Sequence, residues 1–395
     1  MRETFLHYLH IITAVVFSSF IIISFSAGAQ EFPTKTESSV GQTLINALKV
    51  EKPLAFCGEM VPLNEEEIRE RLDRELLYAL DNSDAVILWL KRANRYFTHI
   101  EKVLKKHSLP DDLKYIAIAE SALKPLATSN KGAVGYWQFI EGTGTRYGMA
   151  IDPDIDERRN FFRSTEAAVA YLKDLYAIFG SWTLAAAAYN MGEEGLKAEI
   201  LVQKVNNYYR LYLPQETQRY IFRILTAKII MSNPRKYGYF LSPEDLYHPL
   251  QFDQIEISTN QPVPIYIVAA AAKTYFKMIK DINPHFKNYY IPAGKHQILI
   301  PKGSAAGFAE RYDTLMQQWS AEKKESVYII KKGDNLSSIS ARFNVPVKAI
   351  MIWNGINANK KLAPGDKLII YSKYFKIRNT NSQDSAAGNP TLQLP

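Results

Sequence analysis

The sequence is poor in the residues that several kinds of chemistry require. Its 395 residues include a single cysteine, Cys57, so no intramolecular disulfide can form and stability must come from packing. The seven histidines show no HExxH or other metal-ligand spacing, and two of them, His7 and His10, lie in an apolar N-terminal segment. "DPDID", residues 152–156, alternates as a calcium loop does. It lacks a glycine after its third aspartate, and Arg163 stands where a bidentate glutamate belongs. "GTGTRYG" lacks the Lys–Ser/Thr pair of a phosphate loop, and no Gly-x-Ser-x-Gly elbow occurs. Neither a metal nor a cofactor is therefore expected. The net charge is +8, but Lys and Arg alternate with acids, as in "NEEEIRERLDREL". That pattern is a solvated mixed-charge surface rather than a nucleic-acid footprint, and no nucleic-acid partner is expected.

A long apolar run appears once at the N-terminus. Arg2 precedes residues 11–25, which are almost wholly apolar, and "SAGAQ" then places Ala27 and Ala29 at small-residue cleavage spacing. This reads as a secretory signal peptide over residues 1–29, with an uncleaved anchor helix as the alternative; either way the rest of the chain is exported. The expected location is the periplasm or cell envelope, with membrane association left open. Cys57, in "LAFC", lies far beyond the apolar segment and reads as a free or half-buried thiol rather than an acylation site.

What is present suits two or three folded domains: 47% hydrophobic and 12% aromatic residues supply ample core. Residues 30–60 lack periodicity and read as a tether. Helical periodicity then runs from Asn64, a predicted cap, through Ile68, Leu72, Leu76 and Leu80, and on to His107. Further helices are predicted with Ser164 and Ser181 as caps, and another in "LPQETQRYIFRILTAKIIM", so residues 61–235 read as one all-α domain. Residues 236–325 read as a mixed connector with a short helix and a short strand, to which no chemistry attaches. Residues 326–372 read as strand, helix, helix, strand, with turns at Gly333-Asp334 and Gly365-Asp366. The tail, 373–395, is low in hydrophobicity and reads as disordered.

The stretch "YIAIAESALKP" carries the main question. Proline at a first helical position, followed by Asp111 and Asp112, predicts a helix start. Leu113, Ile116, Ala117 and Glu120 then stand at i, i+3, i+4 and i+7, so Glu120 shares the apolar stripe. Desolvation there would raise its pKa, as a general acid near neutrality requires. On the helix pattern alone, a buried structural glutamate satisfied by backbone or arginine is the better reading. Downstream, "KGAVGYWQF" supplies Gly132 and Gly135 for close backbone approach to a ligand, an aromatic to stack on a sugar, and Gln138 to fix hydroxyls. "AAAAYNMG" places Tyr189 and Asn190 at the tip of an alanine-rich helix.

Glu120-Ser121, then "GAVGYWQF", then "AYNMG" resembles, in order and spacing, the catalytic domain of soluble-type, goose-lysozyme-like lytic transglycosylases. The membrane-bound transglycosylase D subfamily is the most similar. Residues 327–371 resemble a LysM domain through Gly333, Asp334, Leu336, Ile339, Phe343, Trp353, Asn354 and 364–368. The implied fold is mainly α: a lysozyme-like all-α catalytic domain plus a small α+β (βααβ) LysM domain. The resemblance implies cleavage of the MurNAc–GlcNAc β-1,4 bond of peptidoglycan with formation of a 1,6-anhydro ring, Glu120 being the single acid/base. Ser121, Gln138, Tyr189, Asn190 and Tyr220 would bind substrate, and Ser121 would orient Glu120 or the N-acetyl group. Asp334, Asn335 and Ser337 would touch glycan in the LysM domain. Peptidoglycan glycan strands are the implied partner; no motif specifies an envelope regulator. Glu141, following the Gln motif, is the one nearby candidate for a second carboxylate, and a surface position is expected for it. Two other readings stay open: a hydrolytic muramidase of the same fold, and a non-catalytic peptidoglycan-binding protein.

Overall fold

The computed structural model describes residues 40–371 apart from residue 358. The expected signal peptide, the start of the tether and the tail from 373 lie outside the described residues. Among those described, no helix is long and apolar enough to cross a membrane.

A short helix, α1 (Val40–Ala47), precedes a two-residue antiparallel pair, β1 (Ala55–Phe56) and β2 (Glu59–Met60). Residues 54–63, expected in part as tether, belong instead to a core: Phe56 is fully buried, with Leu54, Val61 and Leu63 around it. A stretch without helical or strand periodicity can still be folded when a few bulky side chains anchor it.

Two long amphipathic helices follow, α2 (Glu66–Asp81) and α3 (Ser83–Lys106). Asn64 does not cap α2; the capping position is Glu65, and no side chain bonds there. A 3-10 turn, Asp111–Leu113, has Pro110 at its cap rather than inside it and leads into α4 (Lys114–Ser121). Next come α5 (Glu141–Arg146), α6 (Phe161–Phe179), α7 (Trp182–Met191), α8 (Glu193–Gln203) and α9 (Gln215–Ser232). The cap of α6 is Asn160, whose side chain accepts from the Phe162 and Arg163 amides. Ser164 lies inside that helix and donates to the Asn160 carbonyl at 2.7 Å. Ser181 does cap α7, accepting from the Leu184 amide. In α7 the side chains of Ala185–Ala188 are wholly buried, and the methyl-sized surface lets α6, α8 and α9 close on it. These elements form one core from Ala47 to Tyr239.

The expected connector is a folded unit with its own core. Strand β3 (Phe252–Thr259) pairs antiparallel with β6 (Gly294–Pro301), and β4 (Val263–Pro264) with β5 (Tyr290–Ile291). Two helices, α10 (Ile265–Ala271) and α11 (Phe276–Ile282), lie between β4 and β5, and α12 (Phe308–Glu325) packs on α10. Ile155, from the helical domain, is buried in this second core, and its backbone bridges to Phe286. The amide of Asp156 also donates to the His285 carbonyl at 2.9 Å, and that of Lys287 to the Asp154 carbonyl at 2.8 Å. The "DPDID" loop is therefore the strap between two cores.

The last unit is β7 (Val327–Ile329), α13 (Leu336–Phe343), α14 (Val347–Asn354) and β8 (Lys367–Ile369), with β7 and β8 antiparallel around a third small core. Gly333 and Gly365 both have positive φ, +88° and +94°, which the two turns require.

Candidate functional site

Glu120 lies in the last turn of α4, whose Ile116 and Ala117 are fully buried. The helix ends sharply because Ala122 and Leu123 both adopt left-handed φ, +51° and +58°. Two arginines hold that end. Arg92 of α3 donates to the Ala122 carbonyl at 3.0 Å and Arg223 of α9 to the Ala119 carbonyl at 2.7 Å, a favourable placement of cations at a helix C-terminus.

Only part of the Glu120 side chain reaches solvent. Its Oε1 accepts from the Tyr220 hydroxyl, and Oε2 has no protein partner among the described residues. Burial pushes its pKa up to about 7, against the Tyr220 hydrogen bond and the positive charge of Arg223, which pull it down; the charge of Glu216 adds a smaller upward push. Glu75, in the same domain, is the structural alternative made real. It is 4% exposed and held by Arg219 through bonds of 2.6 and 2.9 Å. Glu120 has no such bidentate partner, so its proton stays available for transfer.

The other expected residues divide into two groups. On α7, the Tyr189 hydroxyl donates to the Trp137 carbonyl at 2.7 Å, and burial beside Glu120 drives its pKa far up, so it stays a neutral donor. Asn190 Oδ1 accepts from Thr217 of α9 at 2.8 Å, leaving its amide nitrogen without a partner among the described residues. Tyr220 is on α9 and touches Glu120 directly. Helix α9 thus gathers the tips of α4 and α7.

Ser121 and Gln138 are turned into the loop that joins α4 to α5. The Ser121 hydroxyl donates to the Tyr136 carbonyl at 2.6 Å and not to Glu120. Gln138, at φ +49°, donates through Nε2 to the carbonyls of Gly135 at 2.9 Å and Ala127 at 3.2 Å. Only its side-chain oxygen is left for a ligand. Trp137 is not a sugar shelf either: it is fully buried and its indole N–H donates to Thr165 at 3.1 Å. Tyr136 packs edge-on against Tyr96 and Phe161. Gly135 is required by protein packing rather than by a ligand, since a Cβ there would stand 1.9 Å from the Arg158 carbonyl oxygen.

Sequence reasoning passed over three residues. Arg158 is buried, pairs with Asp156 through Nε and Nη2, both at 2.8 Å, and donates through Nη1 to the carbonyls of Gly132 at 3.1 Å and Phe139 at 3.2 Å. It ties the loop beside Glu120 to the interdomain strap. Glu216 and Arg223 are the charges that act on Glu120, and with Tyr220 they share one face of α9 at i, i+4 and i+7, a spacing visible in "ETQRYIFR". Glu141 is exposed at the start of α5. The second carboxylate whose field reaches Glu120 is Glu216, itself paired with Lys131 at 3.2 Å. Among the described residues no cluster of His, Cys, Asp or Glu could hold a metal. Cys57 is free, its thiol held neutral by burial and nearby acids.

In the last unit, Asp334 accepts from Tyr328 at 2.6 Å and from the Lys331 amide at 2.8 Å, and pairs with Arg342 at 3.2 Å. Asn335 forms a capping box with Ser338. Of the three expected glycan contacts, only Ser337 is exposed with no side-chain hydrogen bond among the described residues. An aromatic cavity of about 580 Å³ opens elsewhere, between α14 and the middle unit, lined by Trp319, Trp353, Tyr289 and Tyr371.

A mainly helical domain carrying the half-buried Glu120, with a βααβ module further along the chain, matches known families in sequence. Residues 97–210 match the transglycosylase SLT domain, residues 328–370 the LysM domain, and residues 251–317 the lytic transglycosylase MltD, LysM-like domain. The protein is thus of the lysozyme-like transglycosylase class with a LysM domain. Over 348 residues it is 30% identical to membrane-bound lytic murein transglycosylase D of Escherichia coli (strain K12), covering 84% of this chain and 75% of that one. The chain belongs to the lytic murein transglycosylase D family. It is also 34% identical over 110 residues to a putative tributyltin chloride resistance protein of Alteromonas sp. (strain M-1), covering 27% of this chain and 53% of that one. Among solved structures, the 70 kDa soluble lytic transglycosylase of Escherichia coli aligns at 19% identity and a TM-score of 0.32, over 45% of this chain and 33% of that one. The Slt inactive mutant of Pseudomonas aeruginosa aligns at 19% and 0.27, over 40% and 26%.

Proposed function

We propose that this enzyme is exported to the cell envelope and cleaves the MurNAc–GlcNAc β-1,4 bond of peptidoglycan without water, Glu120 acting as the only acid/base. One observation carries the reading: Glu120, its pKa pushed up to about 7 by burial, is bonded to a single neutral donor, with Oε2 left for substrate. The protonated carboxyl gives its proton to the glycosidic oxygen as the C1–O bond breaks. The carboxylate so formed takes the proton of the MurNAc C6 hydroxyl, whose oxygen bonds to C1 and closes the 1,6-anhydro ring. The proton returns to Glu120 and no water is consumed. The nucleophile is part of the substrate, so its effective concentration is high and no second carboxylate is needed. Tyr220 steadies the carboxylate between the two proton transfers, and Asn190 is assigned to the substrate cleft. The LysM domain holds the enzyme on the wall and raises its local concentration. The Ser121 and Gln138 contacts favour positioning of the loop over direct contact with sugar.

The hydrolytic reading draws on Glu216, whose charge reaches Glu120. Its ion pair with Lys131 and its exposure argue against a water-activating role. Digestion of purified sacculi tests the choice. Wild type is expected to release products one water lighter than reducing-end fragments, and Glu120→Gln to release none. Glu216→Gln would abolish digestion only if the enzyme were hydrolytic.

A further inference from the structure

A cavity of about 620 Å³ lies beside the loop that follows α4, between the helical domain and the middle unit. Six cationic side chains line it, Arg92, Arg95, Lys124, Arg159, Lys280 and Lys287, against one carboxylate, Asp281. Asp281 is already paired with Lys277. The cations are held mostly by neutral carbonyl oxygens: Arg92 by Ala122, Arg95 by His248, Lys280 by Asn288 and Lys287 by Asp152. Such bonds fix position and leave the charge uncompensated. Arg159 goes further. Its Nε is buried without a hydrogen-bond partner, and the nearest acid, Asp156, stands 3.9 Å away with both oxygens engaged by Arg158. The Lys124 ammonium has no partner among the described residues. Burial, and after it the positive charge of Arg159, depresses the pKa of Lys280. A built pocket with this much unbalanced charge is complementary to an anion.

Its other walls narrow the choice. Leu123, Pro125 and Leu250, with aromatic rings such as Phe162, Tyr247 and Phe286, give the cavity apolar walls between its charges. That mixture of cations and apolar walls fits a short peptide bearing free carboxylates better than a polyphosphate. The wall formed by 123–126 continues directly from α4, so a glycan strand crossing Glu120 would bring its attached peptide to this loop. We propose that the cavity binds the carboxylates of the peptide stem on the peptidoglycan substrate, with Arg159 and Lys124 as the contacts. The ligand's identity rests on the peptidoglycan reading above.

The test is direct binding, without turnover, to the full chain, so it can fail while the bond-cleavage reading stands. A soluble, sugar-free stem tetrapeptide is titrated calorimetrically, beside the same peptide with its carboxylates amidated. The free-acid peptide is expected to bind, to weaken as salt rises, and to lose about tenfold or more on amidation or in Arg159→Gln, as loss of a charge-assisted hydrogen bond dictates. Lys124→Gln, an exposed position that leaves the fold intact, is expected to weaken it in the same direction. No binding by the wild type, or equal binding by Lys124→Gln and by an Arg159→Gln that melts like wild type, overturns the proposal. So does binding of anionic lipid vesicles in place of the peptide.

Discussion

At the scale of the residue, the pKa of Glu120 decides both catalysis and a cost in stability. The proposed mechanism's first step needs the protonated carboxyl, so kcat/KM is expected to fall on the alkaline side of a limb near pH 7. The Tyr220 hydroxyl lowers that pKa, so Tyr220→Phe should move the limb upward while reducing kcat; a pH–rate profile of both proteins checks the direction. Because burial raises the folded-state value from 4.5 to about 7, the native state binds the proton more tightly than the unfolded chain does. The resulting destabilisation is absent below about pH 4.5, grows as pH rises and is complete above about pH 7. Glu120→Gln should therefore be more stable than wild type at pH 8, by up to about 3 kcal/mol, with the difference vanishing at pH 4 in denaturant unfolding. The helix stripe made Glu120 legible in the sequence, but it could not tell an acid from a buried structural glutamate. Glu75 and Glu120 differ by a bidentate arginine that comes from 144 residues away in one case and is lacking in the other.

At the scale of the element, the loop between α4 and α5 is the part the sequence disclosed least. Its motif residues are legible as a set, yet their roles depend on where side chains point. Trp137 finds Thr165 in α6, Ser121 finds the Tyr136 carbonyl, and Gln138 folds back onto Gly135. The buried Trp137 cannot stack on a sugar, and the Gln138 amide nitrogen braces the loop while its side-chain oxygen stays free. Arg158 completes the brace by binding two of the loop's carbonyls and Asp156 together. At Gly135 the φ of +86° and the contact with the Arg158 carbonyl both forbid a side chain. Gly135→Ala should cost about 2 kcal/mol or more and reduce kcat by displacing the loop. Equilibrium unfolding with parallel kinetics measures both, and unchanged values would contradict the bracing role.

At the scale of the whole molecule, three cores follow one another along the chain. The first and third were legible from periodicity and turn signals. The second was not, because its main sheet joins β3 to β6 across the intervening helices, a pairing that no local pattern announces. The strap at 152–156 was read only as a failed calcium loop, since its meaning lies in contacts with residues 285–288. If the last unit serves only to hold the enzyme on the wall, ending the chain after residue 325 should lower the rate on insoluble sacculi by roughly tenfold or more and leave soluble glycan turnover nearly unchanged. An equal loss on both substrates would assign that unit a part in the active site. The central claim, that Glu120 alone drives an intramolecular cleavage, is tested most directly by mass spectrometry of sacculus digests from wild type and Glu120→Gln. The account predicts 1,6-anhydro ends from the wild type and no products from the variant; reducing ends, or equal digestion by both, would contradict it.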